Sequence, residues 1–517
     1  MAAAADGKSY LVAVHESPGS GSVEPPFAPE ARNIPGPCAL AFHARREGWR
    51  DLADRVAMAI PPPILAAVSQ PAGGRVLLVI GAGCSYEHPT SIPMAQECAR
   101  DAHAELVRDL VLAAGDCADP SDLSGVADAV WMKTGRQGPL VEHLPLSKFR
   151  HSDPNEGYLV AAALLRERAV KDVVTLNYDL TISHGLAAVS STSQVEELAG
   201  PQDHHRLSVA NVIYLHRNVT CNPEEWVMRT VVLQQGWQDG WEQMIAHAVL
   251  VTPVTVFIGL GSPAAVLIDS VQRVRSALQA GVDCYQVDPA PYGGSTFTAA
   301  VGIEQDHYIQ MGWSEFMTQL GQRVLDEHLA AIVRSGQGLA EREHLTQEAI
   351  GDDCARLRSA GLVRLGRLRA AWFLDDHSYV TAHHTGHEWT ADILLGIALI
   401  ERVLGATARF LENGLVEFDR GSVLVASVLV GHGTGRYRWP SLQTRTRIEM
   451  ARRLRVDAAP RSVLLLGYVG APTATSLPES LVGDVDADDV ILGPSTVRFY
   501  DVDGLRANEQ MARELAS

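Results

Sequence analysis

The chain has 517 residues, of which 46% are hydrophobic and 20% charged, so it can form several cores and is not globally disordered. Its net charge of −18 argues against a surface built as a whole for nucleic acid or an anionic membrane. No apolar run approaches the roughly 20 residues of a membrane span. The N-terminal sequence MAAAADGKSY lacks the basic and then apolar order of a secretory signal. We therefore expect a cytoplasmic protein with no membrane partner.

Cysteine usage supports the same compartment. The seven cysteines are an odd number, and none of them forms a C-x-x-C pair. This pattern is typical of free thiols in a reducing cytoplasm, and it predicts no structural zinc site and no bound metal.

Residues 1–70 form a predicted N-terminal extension. Ser17–Pro37 is rich in glycine, serine and proline, and Trp49–Ile60 predicts a short helix that ends at three prolines. The extension suggests no function.

The stretch Arg75–Pro93 begins a nucleotide-binding pattern. Five aliphatic residues, Val76–Ile80, run directly into Gly81-Ala82-Gly83, and a helix is expected soon afterwards. Glycines at this place allow a tight turn and close approach of the backbone to a phosphate. The third glycine of the usual dinucleotide fingerprint is missing, so a tight turn in an ordinary α/β core stays an open alternative.

The following region alternates between helices and strands. Residues 94–170 predict a helical insertion, with helices over Met94–Ala114 and Tyr158–Val170 and a loop-rich segment between them. A further helix is predicted over Ala264–Ala280. Short apolar strands are predicted at Asp172–Thr175, Asn211–Leu215, Val254–Ile258 and Asp283–Val287. This alternation predicts an α/β fold with a doubly wound parallel, Rossmann-like sheet.

Polar or glycine residues follow each predicted strand. Open parallel sheets bind ligands beyond the carboxyl ends of their strands, so we expect these residues to share one edge. A single Asn or Asp in such a place is more often a turn residue, and a single His is more often structural. The strand-end residues are Asn177 and Asp179, His216, Gly259-Leu260-Gly261-Ser262, and Asp288.

The ordered set GAG-x-S, T-x-N-x-D, L-H, G-x-G-S and a strand-end acid resembles the sirtuin family. Within this resemblance it is more similar to the sirtuin-like NADases of bacterial anti-phage defence, over Arg75 to Ile332. The resemblance implies that NAD is the substrate and assigns a role to each matching residue. These roles are pyrophosphate binding by Gly81, Ala82, Gly83 and Ser85; ribose and water positioning by Asn177 and Asp179; catalysis by His216; phosphate and ribose contacts by Gly259, Gly261 and Ser262; and an adenosine-ribose contact by Asp288.

The chemistry and the departures from the family favour hydrolysis. Cleavage of the nicotinamide–ribose bond develops positive charge on the ribose, and a histidine of near-neutral pKa can accept a proton. The paired cysteines of the deacetylase zinc ribbon are absent, which argues against peptide deacetylation. Arg217 replaces a glycine of the family, and Met94 and Gln96 replace an acid and an arginine.

Residues 326–385 predict a helical or winged-helix-like linker. Leu345–Val363 has a helix, turn and helix pattern and resembles a winged helix. A solvated helical linker and a nucleic-acid-binding face remain alternatives. The arginines that would form a basic face are Arg356, Arg358, Arg364, Arg367 and Arg369.

Residues 386–517 predict a second α/β domain. Its expected strands include Ile393–Leu399, Val423–Val430 and Ser462–Leu466, and glycines follow the last two. The order resembles the first half of a nucleoside phosphorylase or nucleosidase. That resemblance implies an incomplete enzyme that binds a nucleotide-like ligand, acts as a sensor or supports oligomerisation. An α/β domain without any site is the alternative.

Together these patterns lead to one functional hypothesis with two alternatives. Residues 71–325 would form a sirtuin-like NAD⁺ hydrolase of anti-phage defence, held inactive until a trigger arrives. We expect a homo-oligomer, and we expect a partner protein or a nucleotide-like trigger to act through the C-terminal domain. The alternatives are a non-catalytic sensor that binds NAD or ADP-ribose, and a sirtuin-type deacylase or ADP-ribosyl transferase.

Overall fold

The structure is a computed structural model that describes residues 60–69, 74–189, 195–233, 240–261, 265–278, 283–342, 348–372, 385–431, 463–467 and 497–501. The predicted extension before residue 60, Ser262 and most of the glycine motifs after residue 431 lie outside these ranges. The helices α1 to α14 are Pro62–Val68, Ala82–Tyr86, Ala95–Arg108, Leu123–Thr134, Gly138–Glu142, Leu146–His151, Glu156–Arg166, Thr181–Val189, Trp241–Leu250, Ala265–Leu278, Thr296–Val301, Trp313–Arg342, Glu348–Ala371 and Thr385–Leu404. The strands β1 to β12 are Val76–Ile80, Asp172–Thr175, Glu196–Leu198, Asn211–Tyr214, Val254–Ile258, Asp283–Asp288, Tyr308–Gln310, Thr407–Phe410, Leu415–Arg420, Val423–Gly431, Val463–Gly467 and Val497–Asp501.

The larger sheet has seven parallel strands in the order β3-β4-β2-β1-β5-β6-β7. Strand β1 lies in the middle, with β2 on one side and β5 on the other. The chain first builds the sheet on the β2 side and then crosses β1 to build the other side. The predicted doubly wound parallel sheet is therefore confirmed, and its switch point lies between β1 and β5.

Helices cover both faces of this sheet, as the apolar runs predicted. Val76, Leu78 and Ile80 of β1 join one core, and Leu77 and Val79 join the other. The first core also contains residues of α1, α7, α8 and α12 to α14, and the second contains residues of α9, α10 and α11. Alternate side chains of one strand thus reach opposite layers.

The helical insertion between β1 and β2 has a core of its own. This third core combines α3 to α6 with Val219, Trp226 and Met228 from the segment after β4, and Tyr178 packs against it. Glu224 of that segment accepts hydrogen bonds from the backbone N–H groups of Gln137 and Gly138, at 3.0 and 2.9 Å. Its carboxylate therefore binds the start of α5, a short helix within the segment expected to be a loop.

The C-terminal part contains a second, mixed sheet in the order β12-β11-β10-β9-β8. Strands β8, β9 and β10 pair antiparallel, whereas β10, β11 and β12 pair parallel. The strand predicted at Ile393–Leu399 is wrong, because these residues lie within α14. Ile393, Leu394, Leu395 and Ile397 are fully buried, so this part of the helix is apolar on more than one face and its short apolar run resembles that of a buried strand.

The arginines of the predicted basic face serve internal packing in the structure. Helix α13 is broken at Gly361, and its arginines reach the elements on either side. Each of the five guanidinium groups binds an acidic side chain or a backbone carbonyl of this chain. The pairs are Arg356 with Asp353 and Glu401, Arg358 with Asp326, Arg364 with the Phe410 carbonyl, Arg367 with Glu412, and Arg369 with Glu167.

No helix in the described part of the chain is both long and apolar enough to cross a membrane.

The turns after β1 and β5 interlock through their backbones. The Gly83 N–H donates to the Gly259 carbonyl at 3.1 Å, and the Gly81 N–H donates to the Ile258 carbonyl at 3.0 Å. A Cβ atom on Gly83 would lie 2.8 Å from the Gly259 Cα. One on Gly259 would lie 2.7 Å from the Cys84 nitrogen. Because Gly259 also has a φ of +66°, both space and backbone conformation require glycine there.

We expect Gly259→Ala to lower the free energy of unfolding by about 3 kcal/mol, because left-handed strain adds to an overpacked contact. The matched control is Gly302→Ala, where φ is +71° but a Cβ would meet nothing within 4 Å. This control should lose only about 1 kcal/mol. Urea unfolding of both variants measures the difference, and equal losses would show that the interlock adds nothing.

Candidate functional site

Three predicted site residues form one buried hydrogen-bonded cluster beyond the ends of β1 and β2. The Asn177 Nδ2 atom donates to Ser85 Oγ at 3.0 Å and to the Gly81 carbonyl at 3.1 Å. Ser85 Oγ donates to Asp179 Oδ2 at 2.9 Å. The structure therefore joins the first glycine turn directly to the T-x-N-x-D segment. Because Nδ2 points inward, the Asn177 amide directs its Oδ1 away from Gly81.

Tyr158 of α7 is the fourth member of this cluster. Its hydroxyl lies 2.6 Å from Ser85 Oγ and 3.3 Å from Asn177 Nδ2, and its side chain is 1% exposed. Burial raises the pKa of the Tyr158 phenol well above its usual value, and the negative charge of Asp179 adds to the shift. Tyr158 therefore stays a neutral hydroxyl that orients Ser85 and Asn177.

Asp179 is a buried acid with two structural contacts. One carboxylate oxygen accepts from Ser85, and the other accepts from the backbone N–H of Thr181 at 3.0 Å, where α8 begins. Burial raises the pKa of Asp179, while its hydrogen bonds with Thr181 and Ser85 act in the opposite direction. A cationic group bound nearby would favour the charged carboxylate.

Asn155 and Glu87 hold the elements around the cluster. The Asn155 Nδ2 atom donates to the Cys84 carbonyl at 2.8 Å, and its Oδ1 accepts from the Trp313 indole at 3.0 Å. Glu87 accepts from the backbone N–H groups of Trp313 and Ser314 at the start of α12. The short helix α2, which carries Ser85, and the residue that follows it are thus fixed to the N-terminal ends of α7 and α12.

His216 lies at the end of β4, next to the cluster. Its side chain is hydrogen-bonded to the backbone of Leu176, the residue before Asn177, and its ring centroid is 6.2 Å from that of Tyr178. Burial lowers the pKa of His216 to about 4, and the positive charge of Arg217 contributes to the shift. The expected near-neutral pKa is therefore wrong, because burial removes most of the imidazole from water.

Arg217 follows the histidine in a backbone conformation that favours glycine. Its φ is +74°, which costs a non-glycine residue about 1 kcal/mol or more. Its guanidinium forms a 2.7 Å ion pair with Glu242, and the two side chains are 11% and 8% exposed. The ion pair thus holds a non-glycine residue in the left-handed region directly after His216.

The remaining predicted residues lie on the other side of β1. Gly259 contacts Gly83 directly, whereas Gly261 is exposed and its carbonyl accepts from the Thr296 hydroxyl at 3.1 Å. Asp288 ends β6 and accepts from the backbone N–H of Ala290 at 2.8 Å. Ser262 lies outside the described residues. Gly261 and Asp288 lie beyond the same edge of the sheet as the cluster, and the hydrogen bonds above join them to Thr296 and Ala290.

The side chains around this edge include an amide, a carboxylate and an imidazole. The N–H groups of Gly81 and Gly83 already donate to the Ile258 and Gly259 carbonyls. In the described ranges, no three His, Cys, Asp or Glu side chains are arranged to hold a metal ion.

Sequence reasoning missed Tyr158, Asn155 and the Arg217–Glu242 pair. Asn155 had a local signal, because an Asn at the N-cap accepts from the backbone N–H of Tyr158 three residues later. Tyr158 was assigned only to an apolar helix. Glu242 lies 25 residues beyond Arg217 in the sequence, and no spacing rule connects them.

No family model and no curated protein matches the chain. Among solved structures, the chain is similar to a Sir2 enzyme from work on the structural basis for the mechanism and regulation of Sir2 enzymes. The two sequences are 16% identical, the match covers 50% of this chain and 96% of the other, and the TM-score is 0.29. It is also similar to a Sir2 homologue–NAD complex, with 16% identity, 52% and 94% coverage, and a TM-score of 0.29. A mutant Sir2 homologue with ADP-ribose gives 15% identity, 52% and 97% coverage, and a TM-score of 0.30. The fold assignment rests on strand order and register.

The buried His216 predicts a pH-dependent stability. The unfolded chain takes up a proton on this histidine near pH 6.5, whereas the folded chain does so only near pH 4. Stability is therefore lost as the pH falls through this window, by about 2 kcal/mol between pH 7.5 and 5.0. We expect His216→Gln to remove that component in urea unfolding at the two pH values. The exposed His205, replaced by Gln, is the control, and parallel pH curves for wild type and His216→Gln would contradict the assignment.

Proposed function

We propose that the chain is an NAD⁺ hydrolase that cleaves NAD⁺ to nicotinamide and ADP-ribose. The observation that carries this proposal is the buried cluster of Ser85, Asn177, Asp179 and Tyr158 beside His216, beyond the carboxyl ends of β1 and β2 in a parallel sheet. The ordered motifs that resemble sirtuin-like NADases suggest that the substrate is NAD⁺. The glycine turns after β1 and β5 are the proposed binding place for the pyrophosphate.

In the proposed reaction, a water oxygen bonds to the anomeric carbon of the nicotinamide ribose. The bond to nicotinamide breaks with its electron pair moving to the ring nitrogen, and one proton is released. Asn177 Oδ1 is suited to accept from a ribose hydroxyl or the water, because its Nδ2 is held inward. Asp179 would stabilise the positive charge that develops on the ribose.

His216 is the proposed proton acceptor. With a pKa of about 4 it is neutral at physiological pH, and a neutral imidazole can accept a proton from a hydroxyl or a water. A base of such low pKa is weak, and positive charge on the imidazole becomes more favourable only when substrate adds negative groups nearby.

The same low pKa favours a second candidate function, a sensor that binds NAD or ADP-ribose without turnover. A histidine that resists protonation can serve as a neutral hydrogen-bonding group in a binding pocket. Calorimetry separates the candidates, because the sensor would bind NAD⁺ with no nicotinamide release under any condition. Mass increase of a protein by one ADP-ribose unit would instead support a transferase.

The biological setting is part of the proposal. The resemblance to defence NADases suggests a role in anti-phage immunity, and constant NAD⁺ cleavage would deplete the host. We therefore propose that the C-terminal helices and mixed sheet, a homo-oligomeric assembly or a partner restrain the activity until infection.

We expect nicotinamide release from NAD⁺ by the purified full chain, assayed alone and with extract from phage-infected cells. Asn177→Ala and His216→Ala should each lower kcat by about 100-fold or more, because each removes a group that acts on the reacting ribose or its proton. His205→Ala, in an exposed 3₁₀ turn, is the matched histidine control and should retain wild-type rates. Unchanged release in both site variants would show that the site is assigned wrongly.

A further inference from the structure

The turn after His216 is held by a residue that this backbone conformation disfavours. Among the described residues, four non-glycine residues have positive φ, and of these Arg217 is the one adjacent to a candidate catalytic group. Such conformations persist only where surrounding contacts determine them, and they concentrate at functional sites. The contacts of Arg217 therefore indicate what maintains the turn.

Arg217 ties the end of β4 to the start of α9. Its backbone N–H donates to the Tyr214 carbonyl at 3.3 Å. Its Nη2 atom lies 2.7 Å from Glu242 Oε1, and its guanidinium carbon lies 5.6 Å from the Trp241 ring centroid. Trp241 and Glu242 are the first two residues of α9. A nearly buried ion pair of this kind needs good geometry to offset its desolvation, so the arginine has little freedom to move.

We propose that Arg217 is a positioning residue for His216. Its guanidinium pairs with Glu242 and lies over Trp241, and these contacts fix the left-handed turn after the histidine. The same guanidinium places a positive charge near the imidazole. This inference rests on the proposed NAD⁺ hydrolysis for its catalytic meaning, but its physical effect on His216 is independent of turnover.

The groups that face His216 come from three directions. The Leu176 backbone and the Tyr178 ring belong to the segment after β2, and Arg217 is the residue that directly follows His216 in the chain. Glu242 belongs to α9 and offsets part of the arginine charge. Tyr178 is neutral, since burial raises its pKa further. Among these groups, Arg217 supplies the positive charge that disfavours the imidazolium.

Three variants of the full chain separate charge from backbone strain. Arg217→Gly suits the left-handed turn and removes both the charge and the clamp. Arg217→Lys keeps the charge, and Glu242→Gln keeps the shape of the partner but removes its charge. The readout is the pKa of His216 in histidine-labelled protein by NMR, with the signal assigned by its loss in His216→Gln.

We expect Arg217→Gly to raise the pKa of His216 by roughly half a unit or more, Arg217→Lys to leave it near the wild-type value, and Glu242→Gln to lower it. For nicotinamide release, kcat should fall roughly tenfold in Arg217→Gly with little change in KM, because orientation of the base is lost but NAD⁺ contacts remain. The control is Arg358→Met, which breaks the ion pair with Asp326 far along the chain and should shift neither readout.

An unchanged His216 pKa in both Arg217→Gly and Glu242→Gln would overturn the inference and leave the pair as a packing contact only. If Arg217→Gly does not fold, Glu242→Gln and Arg217→Lys still give the charge test. A wild-type chain that never releases nicotinamide contradicts the proposed function, while the NMR titration continues to decide the role of Arg217.

Discussion

Everything at the ligand edge depends on the close approach of two glycine turns across the centre of the sheet. The turns after β1 and β5 touch backbone to backbone, with one direct N–H to carbonyl bond between Gly83 and Gly259. Side chains on either turn would push β1 and β5 apart at the point where the chain changes direction. Once the turns are fixed, the position of Ser85, two residues after Gly83, is fixed as well. Asn177, just beyond the neighbouring strand β2, can then bind both the Gly81 carbonyl and the Ser85 hydroxyl.

The candidate site contains two kinds of group. Its buried polar side chains are hydrogen-bonded to one another, and its histidine is kept uncharged by burial. Ser85, Asn177, Asp179 and Tyr158 bind one another in a region with little water, where an unpaired polar group would be costly. Such a network holds its members in one arrangement before any ligand arrives, which reduces the reorganisation needed in a reaction. The histidine shares the same burial, and its lowered basicity is the cost of that preorganisation.

The sequence predicted the sheet well because buried parallel strands leave a strong local mark. Asp172–Thr175 and Val254–Ile258 have the predicted bounds, since apolar runs between polar turns define them. The three-residue strands β3 and β7 were not predicted, because so short a segment shows no periodicity in its sequence. The apolar run Ile393–Leu399 was misread for a related reason, since a helix buried on most sides and a buried strand look alike. Of the site, the strand-end positions were predictable, but Tyr158 and Glu242 reach it only through tertiary packing.

Helix α7 joins two regions that a truncation experiment would try to separate. Tyr158 in its first turn binds Ser85, while Glu167 at its end forms a buried pair with Arg369 of α13, and Arg166 donates to the Gly366 carbonyl. A shortened chain that ends before α13 would remove Arg369 from the buried Glu167 and expose the apolar face shared by α7, α8 and α12. Loss of activity in such a fragment would then report a damaged core as much as a lost regulator. Substitutions at single contacts within the intact chain are the cleaner way to study how the C-terminal half influences the site.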